Sequence, residues 1–441
     1  MRLTLIQPAV GRKPDGTPYP SSWRMEPLGI ATLSGLTPRG IERVFHDDRV
    51  EPIPFERPTD LVCITVETYT ARRAYQIAAR YRARGVPVVL GGFHPTLVPD
   101  EAAAHADAIV IGEAEGVWAA VLADAAAGNL QARYAATRRP DLAALAPDRS
   151  IFGRRDYGQV TLVETSRGCR FDCEFCTICR FYRQACVERP VGEVAAEVRS
   201  AAKPVFFVDD NLGVDPERLR RLCEALLPVG RPWVGQCSLH VGRDPALLRL
   251  MRRCGCEGVL IGFESLDPGN LAAMGKRVNL SAAGYAGAIR AFREAGLSIY
   301  ATFLFGYDGD TPESFRRVFD FALEHRFFFA AFNHLVPFPG TPLYDRLLAE
   351  GRLLSPQWWL DPGVRFGDVV FRPAQMPAAE LGRLCELHRR RFYALPSVIR
   401  RAMDLRANCR TPLKSLVYFA QNLLHRREVA RRHALPFGEA A

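Results

Sequence analysis

Residues Glu164 to Arg180 read ETSRGCRFDCEFCTICR and follow directly on Gln159 to Val163, an apolar run with the character of a buried strand. Cys169, Cys173 and Cys176 stand there as C-x3-C-x2-C, and twelve cysteines scattered at random would give that spacing in only about 1% of such chains. Thiolates three and four positions apart on one short loop can converge on a metal cluster. Three ligands to a [4Fe–4S] cluster leave one iron open, and an open coordination position marks a catalytic site. Two other readings use the same thiols. Cys173, Cys176 and Cys179 open a ferredoxin-like C-x2-C-x2-C, but the cysteine that should follow at position 183 is Arg, and no cysteine in the chain precedes a proline. A structural zinc site of four cysteines would normally come as two pairs separated by a dozen residues or more.

Outward from this loop the chain keeps a βα rhythm. On the carboxyl side, apolar runs at Val205 to Val208, Val234 to Cys237, Gly258 to Gly262, Ser298 to Leu304 and Phe329 to Leu335 alternate with helix-like segments. With the run before the loop that makes six βα units, fewer than the eight of a closed TIM barrel, so a partial (β/α) barrel is expected. On the amino side, Leu3 to Ile6, Leu61 to Val66, Pro87 to Leu90 and Ala108 to Ile111 read as strands buried on both faces, which implies a Rossmann-like parallel sheet. Ala125 to Arg155 reads as linker. The expected organisation is therefore α/β, with a first sheet domain at 1–150, a partial barrel at 151–345 and a helical, basic region at 346–441. In open α/β sheets ligands sit at the carboxyl ends of strands. There Thr65 ends one strand, and Gly91 and Gly92, after the next, would let backbone approach a large ligand; the plainer reading of the glycines is a tight βα turn.

At 441 residues the length suits about three domains. Apolar residues at 48% and charged residues at 24% exclude a disordered or fibrous chain. No apolar run approaches the length of a membrane helix, and MRLTLIQPAV reads as a first strand rather than a secretory signal, so a cytoplasmic protein is expected. In that compartment thiols stay reduced, which favours metal or redox chemistry over disulfides. The formal charge is +10, but residues 381–441 hold 13 Lys and Arg against 4 Asp and Glu, leaving the body near neutral and no general nucleic-acid surface. Within that region Leu413 to Arg432 sets apolar residues at helical spacing beside arginines. A helix covering the barrel is expected; a peripheral membrane-surface helix is the alternative.

The triad loop after the first barrel strand, with Phe175 just before the last cysteine, resembles the signature of the radical S-adenosylmethionine (SAM) superfamily. FVDDN at Phe207 to Asn211, IGFES at Ile261 to Ser265 and FPGTPLY at Phe338 to Tyr344 extend the resemblance. Upstream, MEPLGIATLSG (Met25 to Gly35), VVLGGFHPT (Val88 to Thr96) and IGEAEGVW (Ile111 to Trp118) resemble the cobalamin-binding-type domain fused to one subgroup. The resemblance implies a [4Fe–4S] cluster on Cys169, Cys173 and Cys176, with SAM on the open iron, and reductive cleavage of SAM to a 5′-deoxyadenosyl radical. It further implies Phe175 against the adenine, Asp210 (flanked by Asp209 and Asn211) as acceptor from the SAM ammonium, and Glu264 on the ribose hydroxyls. The plainer reading of those carboxylates is capping of the helices that follow.

The resemblance also implies cobalamin in the first domain. The D-x-H-x-x-G motif that supplies a histidine below the cobalt is absent, and His46-Asp47-Asp48 has the wrong order. Cys254 and Cys256 read as buried thiols; Cys63 alone in the first domain disfavours a methylthiotransferase, and Cys385 with Cys409 are too few for an extra cluster. The expected activity is cobalamin-dependent methylation of an unactivated carbon. Its small-molecule substrate would be a lipid or natural-product intermediate, and its reductant an external donor such as flavodoxin or ferredoxin. The alternatives are a non-methylating radical SAM oxidoreductase or a rearranging or cyclising enzyme, and, from another class, an iron–sulfur electron-transfer protein.

Overall fold

The computed structural model describes residues 1–441 except 14, 20–23, 144, 156, 280–283, 432–434 and 440–441. Arg432, the last residue of the basic stretch, thus lies outside the described residues.

Six strands, β1 (Arg2–Gln7), β2 (Glu42–Asp47), β3 (Leu61–Thr65), β4 (Val88–Gly91), β5 (Ala108–Ile111) and β6 (Arg133–Ala135), form a parallel sheet in the order β2-β1-β3-β4-β5-β6. The four inner runs are there because a strand covered on both faces is near-continuously apolar, with the one buried hydroxyl, Thr4, bonded to Thr59. Two strands escape the sequence reading. β2 (ERVFHD) and β6 (RYA) are the sheet edges, part-exposed and therefore mixed in polarity, and β6 lies inside the stretch 125–155 that reads as linker. The order reverses about β1, so a crevice opens at the carboxyl ends of β1 and β3, the place where such sheets take ligands.

The second sheet is also parallel, from β7 (Thr161–Val163) through β10 (Val205–Phe207), β11 (Trp233–Gln236), β12 (Cys256–Glu264) and β13 (Ser298–Phe305) to β14 (Phe329–His334), each strand beside its sequence neighbour. Two short pairs complete the set: β8 (Ser166–Arg167) with β9 (Val187–Glu188), and β15 (Arg365–Phe366) with β16 (Leu435–Pro436). A chain of parallel neighbours in strict order is the arc of a partial barrel, and its core runs from Val163 and Phe207 through Phe263 and Phe303 to Phe332.

The stretch after the barrel divides in two. Trp358, Trp359 and Phe437 pack under the first sheet with Ile6, Ile64 and Leu90. The helices Ala378–Phe392, Leu395–Ala402 and Pro412–Arg431 lie on the barrel instead, where the buried Arg401 donates to the carbonyls of Phe327 and Phe328 and Tyr393 to that of Ala330. Among the described residues no helix is long and apolar enough to cross a membrane.

Candidate functional site

Past β7 the chain is tied down before it reaches the first cysteine. Asp209, buried at the end of β10, accepts from Thr165 N (3.0 Å), Thr165 Oγ1 (2.7 Å) and Ser166 Oγ (2.6 Å), and Asp210 accepts from Gly168 N (2.8 Å). Burial raises Asp210 to about 6. Both aspartates therefore hold the start of the cysteine loop. Its middle is gripped from two other strands: Glu174 N donates to Met274 O, after β12, at 3.0 Å, and Leu343 N, after β14, donates to Glu174 O at 3.1 Å. Arg346 closes on the Glu174 carboxylate at 2.8 Å. The loop spans the barrel mouth from first strand to last.

Cys169 and Cys173 are buried and Cys176, which turns back to Cys173 through a 3.0 Å backbone bond, is half-buried. Burial pushes the Cys173 thiol up to about 11, whereas the neighbouring Cys179 thiol draws Cys176 down to about 7. Cys179 is buried and its Sγ donates to Phe171 O at 2.8 Å, which turns it into the loop. Asn211 donates to Ser238 Oγ beside Cys169, and Phe175 packs, half-buried, against the barrel core.

Glu264 ends β12 at a register shift and has a positive φ of 65°, a strained conformation for a non-glycine residue. Its carboxylate folds back over Gly262, where a Cβ would lie 2.2 Å from Glu264 Oε1, and meets Lys276 Nζ at 3.3 Å. Lys276 also faces Cys173 and Cys176, so one ammonium serves the carboxylate and two thiols. Sequence reasoning missed it, because nothing local connects a lysine after the fourth barrel strand to a loop a hundred residues earlier.

In the first domain, Thr65 and Gly91 pair in register at the sheet's carboxyl edge. The two glycines differ. At Gly91 a Cβ would meet nothing closer than Val110 Cβ at 3.7 Å, whereas Gly92 has φ +107° and a Cβ there would be 2.9 Å from Val66 O. Gly92 is thus fixed by backbone conformation. Glu67, just beyond Thr65, keeps surface open to solvent although protein atoms crowd it, and burial pushes its carboxyl up against the pull of Arg49. Buried His94 has both ring nitrogens engaged, 3.3 Å from Thr68 Oγ1 and 3.0 Å from Glu101 Oε1. Asp48 is likewise spent, paired with the buried Arg12 and Arg73 at 2.8 Å each.

The radical SAM superfamily profile matches residues 163–322 and the B12 binding domain profile residues 24–122. The bacteriochlorophyllide d C-12(1)-methyltransferase of Chlorobaculum tepidum is 30% identical over 335 residues, 73% of each chain. The bacteriochlorophyllide d C-8(2)-methyltransferase of the same organism is 33% identical over 355 residues, 75% of this chain and 78% of the relative. The chain belongs to the radical SAM superfamily. In fold it is similar to the radical SAM methyltransferase TsrM from Kitasatospora setae, solved with cobalamin and a [4Fe–4S] cluster, with a TM-score of 0.64 at 18% identity over 87% of this chain and 84% of that one. This radical SAM enzyme is of the cobalamin-dependent methyltransferase kind, and its cofactors are a [4Fe–4S] cluster, SAM and cobalamin.

The donor chemistry of the barrel suits the cluster. Three free thiols stand on one braced loop, with a lysine ammonium to offset thiolate charge. Among the described residues no three His, Cys, Asp or Glu side chains converge on a single point, which the ligands of a cluster need not do. A cluster spreads its thiolates over separate irons.

The radical SAM barrel and the B12 domain meet with the carboxyl ends of their strands facing. Phe93, after Gly92, stacks on Phe181, five residues past Cys176, with ring centroids 4.3 Å apart. Arg167, two residues before Cys169, binds Glu113 (3.1 Å) and Glu115 (2.6 Å) after β5 and Glu164 (2.9 Å) of its own domain. Glu113 and Glu115 belong to the IGEAEGVW segment. Its resemblance pointed at the domain, but Arg167 as partner was invisible across some fifty positions of sequence.

Proposed function

We propose that this radical SAM enzyme methylates an unactivated carbon at the edge of a large, mostly apolar ring compound of the bacteriochlorophyllide type. The observation that carries the reading is identity of 30% and 33%, over about three quarters of the chain, with two methyltransferases that act on bacteriochlorophyllide d. When bound, the cluster and SAM supply a 5′-deoxyadenosyl radical that takes a hydrogen atom from the substrate carbon, and the corrinoid supplies the methyl group. Cys169, Cys173 and Cys176 hold the cluster, and Asp209 and Asp210 hold the loop that carries them. The Asp210 oxygen not bonded to Gly168 and the Glu264 carboxylate are the acceptors offered to the SAM ammonium and ribose hydroxyls, while Phe175 lines the adenine side. Thr65, Gly91 and Gly92 give the corrin its flat seat. With His94 engaged on both sides, no imidazole is offered to the cobalt from that loop.

Free thiols throughout the chain fit a reducing, cytoplasmic setting, and reductive cleavage of SAM calls for an external flavodoxin- or ferredoxin-type donor. The test is an anaerobic assay of the cobalamin-supplied, reconstituted enzyme with a bacteriochlorophyllide substrate. Methylated product should appear with 5′-deoxyadenosine and S-adenosylhomocysteine in matching amounts. Substrate consumption with 5′-deoxyadenosine but no S-adenosylhomocysteine would instead make the chain a non-methylating radical enzyme.

A further inference from the structure

The helix Pro412–Arg431 is inside out. Its inward side is polar: buried Lys414 binds the Glu257 carbonyl of β12 (2.8 Å), Tyr418 the Val398 carbonyl of the preceding helix (2.8 Å), and Asn422 accepts from Arg401 of that helix (3.0 Å). The opposite side carries Leu413, Leu416, Val417, Ala420, Leu423 and Leu424, spaced three and four apart and all exposed. Leu413 is 71% exposed and Leu416 67%. The same holds for the helix before it and its connection, where Leu395 and Ile399 face outward and Leu405 is 70% exposed. Exposed leucines scattered singly need no explanation, but a row of them along one helix face, with more on the helix packed against it, marks a surface with a partner.

Charge decides what the partner is. Arg400, Arg406, Arg426 and Arg427 are exposed around this face. The acids of residues 381–427 do not offset them: Asp404 is buried against Arg293 (2.8 Å), and Glu386 is paired with Arg390. A second copy of the chain would bring the same sign of charge to the contact. An anionic bilayer supplies apolar depth and negative headgroups together, which is what an apolar face rimmed by arginine fits. With no helix among the described residues able to cross, the face would lie on the membrane.

We infer that the outer face of helices Leu395–Ala402 and Pro412–Arg431 docks the enzyme on an anionic lipid bilayer. The inference is independent of the methylation reading, and its test needs no cofactor turnover. The full chain is floated with vesicles of phosphatidylcholine alone and of phosphatidylcholine with phosphatidylglycerol at about 30%. Wild type should bind the anionic vesicles at least about tenfold better than the neutral ones, and high salt should weaken that binding. The double variant L413E/L416E should lose at least about tenfold of the binding while keeping its circular dichroism and thermal midpoint, because both side chains are exposed. L395E/I399E, on the other helix, gives the same readout should the first pair fail to fold. Wild type left behind by both vesicle types would overturn the inference, as would undiminished binding by the glutamate variants. A wild-type dimer that these substitutions turn into monomer would show the face to be a self-interface instead.

Discussion

Cys176 and Cys179 lie three positions apart yet have opposite surroundings. The Cys176 thiol is lowered by the neighbouring Cys179 thiol and, more weakly, by Lys276, while Cys179 is raised by the same contact and by burial and turns its Sγ to the Phe171 carbonyl. Cys179→Ser is therefore expected to retain about four irons per chain after reconstitution, and Cys169→Ser, Cys173→Ser or Cys176→Ser to lose them, as iron analysis would show. Cluster loss in Cys179→Ser alone would restore the ferredoxin-like pattern. Asp209 is the other decisive residue, because removing its carboxylate strands one buried N–H and two hydroxyls at once. Asp209→Ala should cost about 1–3 kcal/mol in denaturant unfolding and loosen the iron, with Asp209→Asn intermediate. Gly92→Val must adopt a backbone conformation that a β-branched residue resists and overlaps the Val66 carbonyl. Cobalamin retention should fail there while the cluster spectrum stays unchanged. Gly91→Ala, with open space for its methyl, should bind cobalamin as wild type does; equal loss in both variants would contradict this distinction.

Between elements, Arg167 joins the cluster loop to the end of β5, tying three carboxylates to one guanidinium at low exposure. Breaking a buried pair of this kind typically costs about 3–5 kcal/mol, because Glu115 and Glu164 are left without this counter-charge and Glu113 keeps only Arg139 at 3.5 Å. Arg167→Met should lower the thermal midpoint and, by loosening the cluster loop from the end of β5, reduce methyl transfer at least about 100-fold while 5′-deoxyadenosine release continues. Arg167→Lys cannot reach three partners and should recover little. Methyl transfer and SAM cleavage falling together would assign Arg167 to the cluster loop alone. The limits of sequence reading lie at this scale as well. Central strands of both sheets were legible because burial on two faces writes a continuous apolar run; β2 and β6 were not, because an edge half in water has no such run. The cysteine triad was legible because its ligands are local in sequence. Lys276 and Arg167 act across the fold, and only the topology joins them to their partners at the site. In the helix Pro412–Arg431 the spacing shows an apolar face, but which way it turns was decided by Lys414 finding a polar partner on the barrel and Tyr418 and Asn422 finding theirs on the helix Leu395–Ala402.

Across the whole molecule, two parallel sheets face each other by their carboxyl ends, with the Phe93–Phe181 stack and the Arg167 ion network between them. The segment after the barrel returns to the first sheet through Trp358, Trp359 and Phe437, so the two domains share one structural clasp. Such a body brings a methyl source on one sheet to a radical source on the other. The most direct measurement of that arrangement is iron and cobalt counted in the same gel-filtered sample after anaerobic reconstitution with cobalamin. About four irons and one cobalt per chain are expected, with Cys176→Ser losing iron but keeping cobalt, and Gly92→Val doing the reverse. Four irons with no cobalt retained, under conditions where the chain binds SAM, would contradict the account.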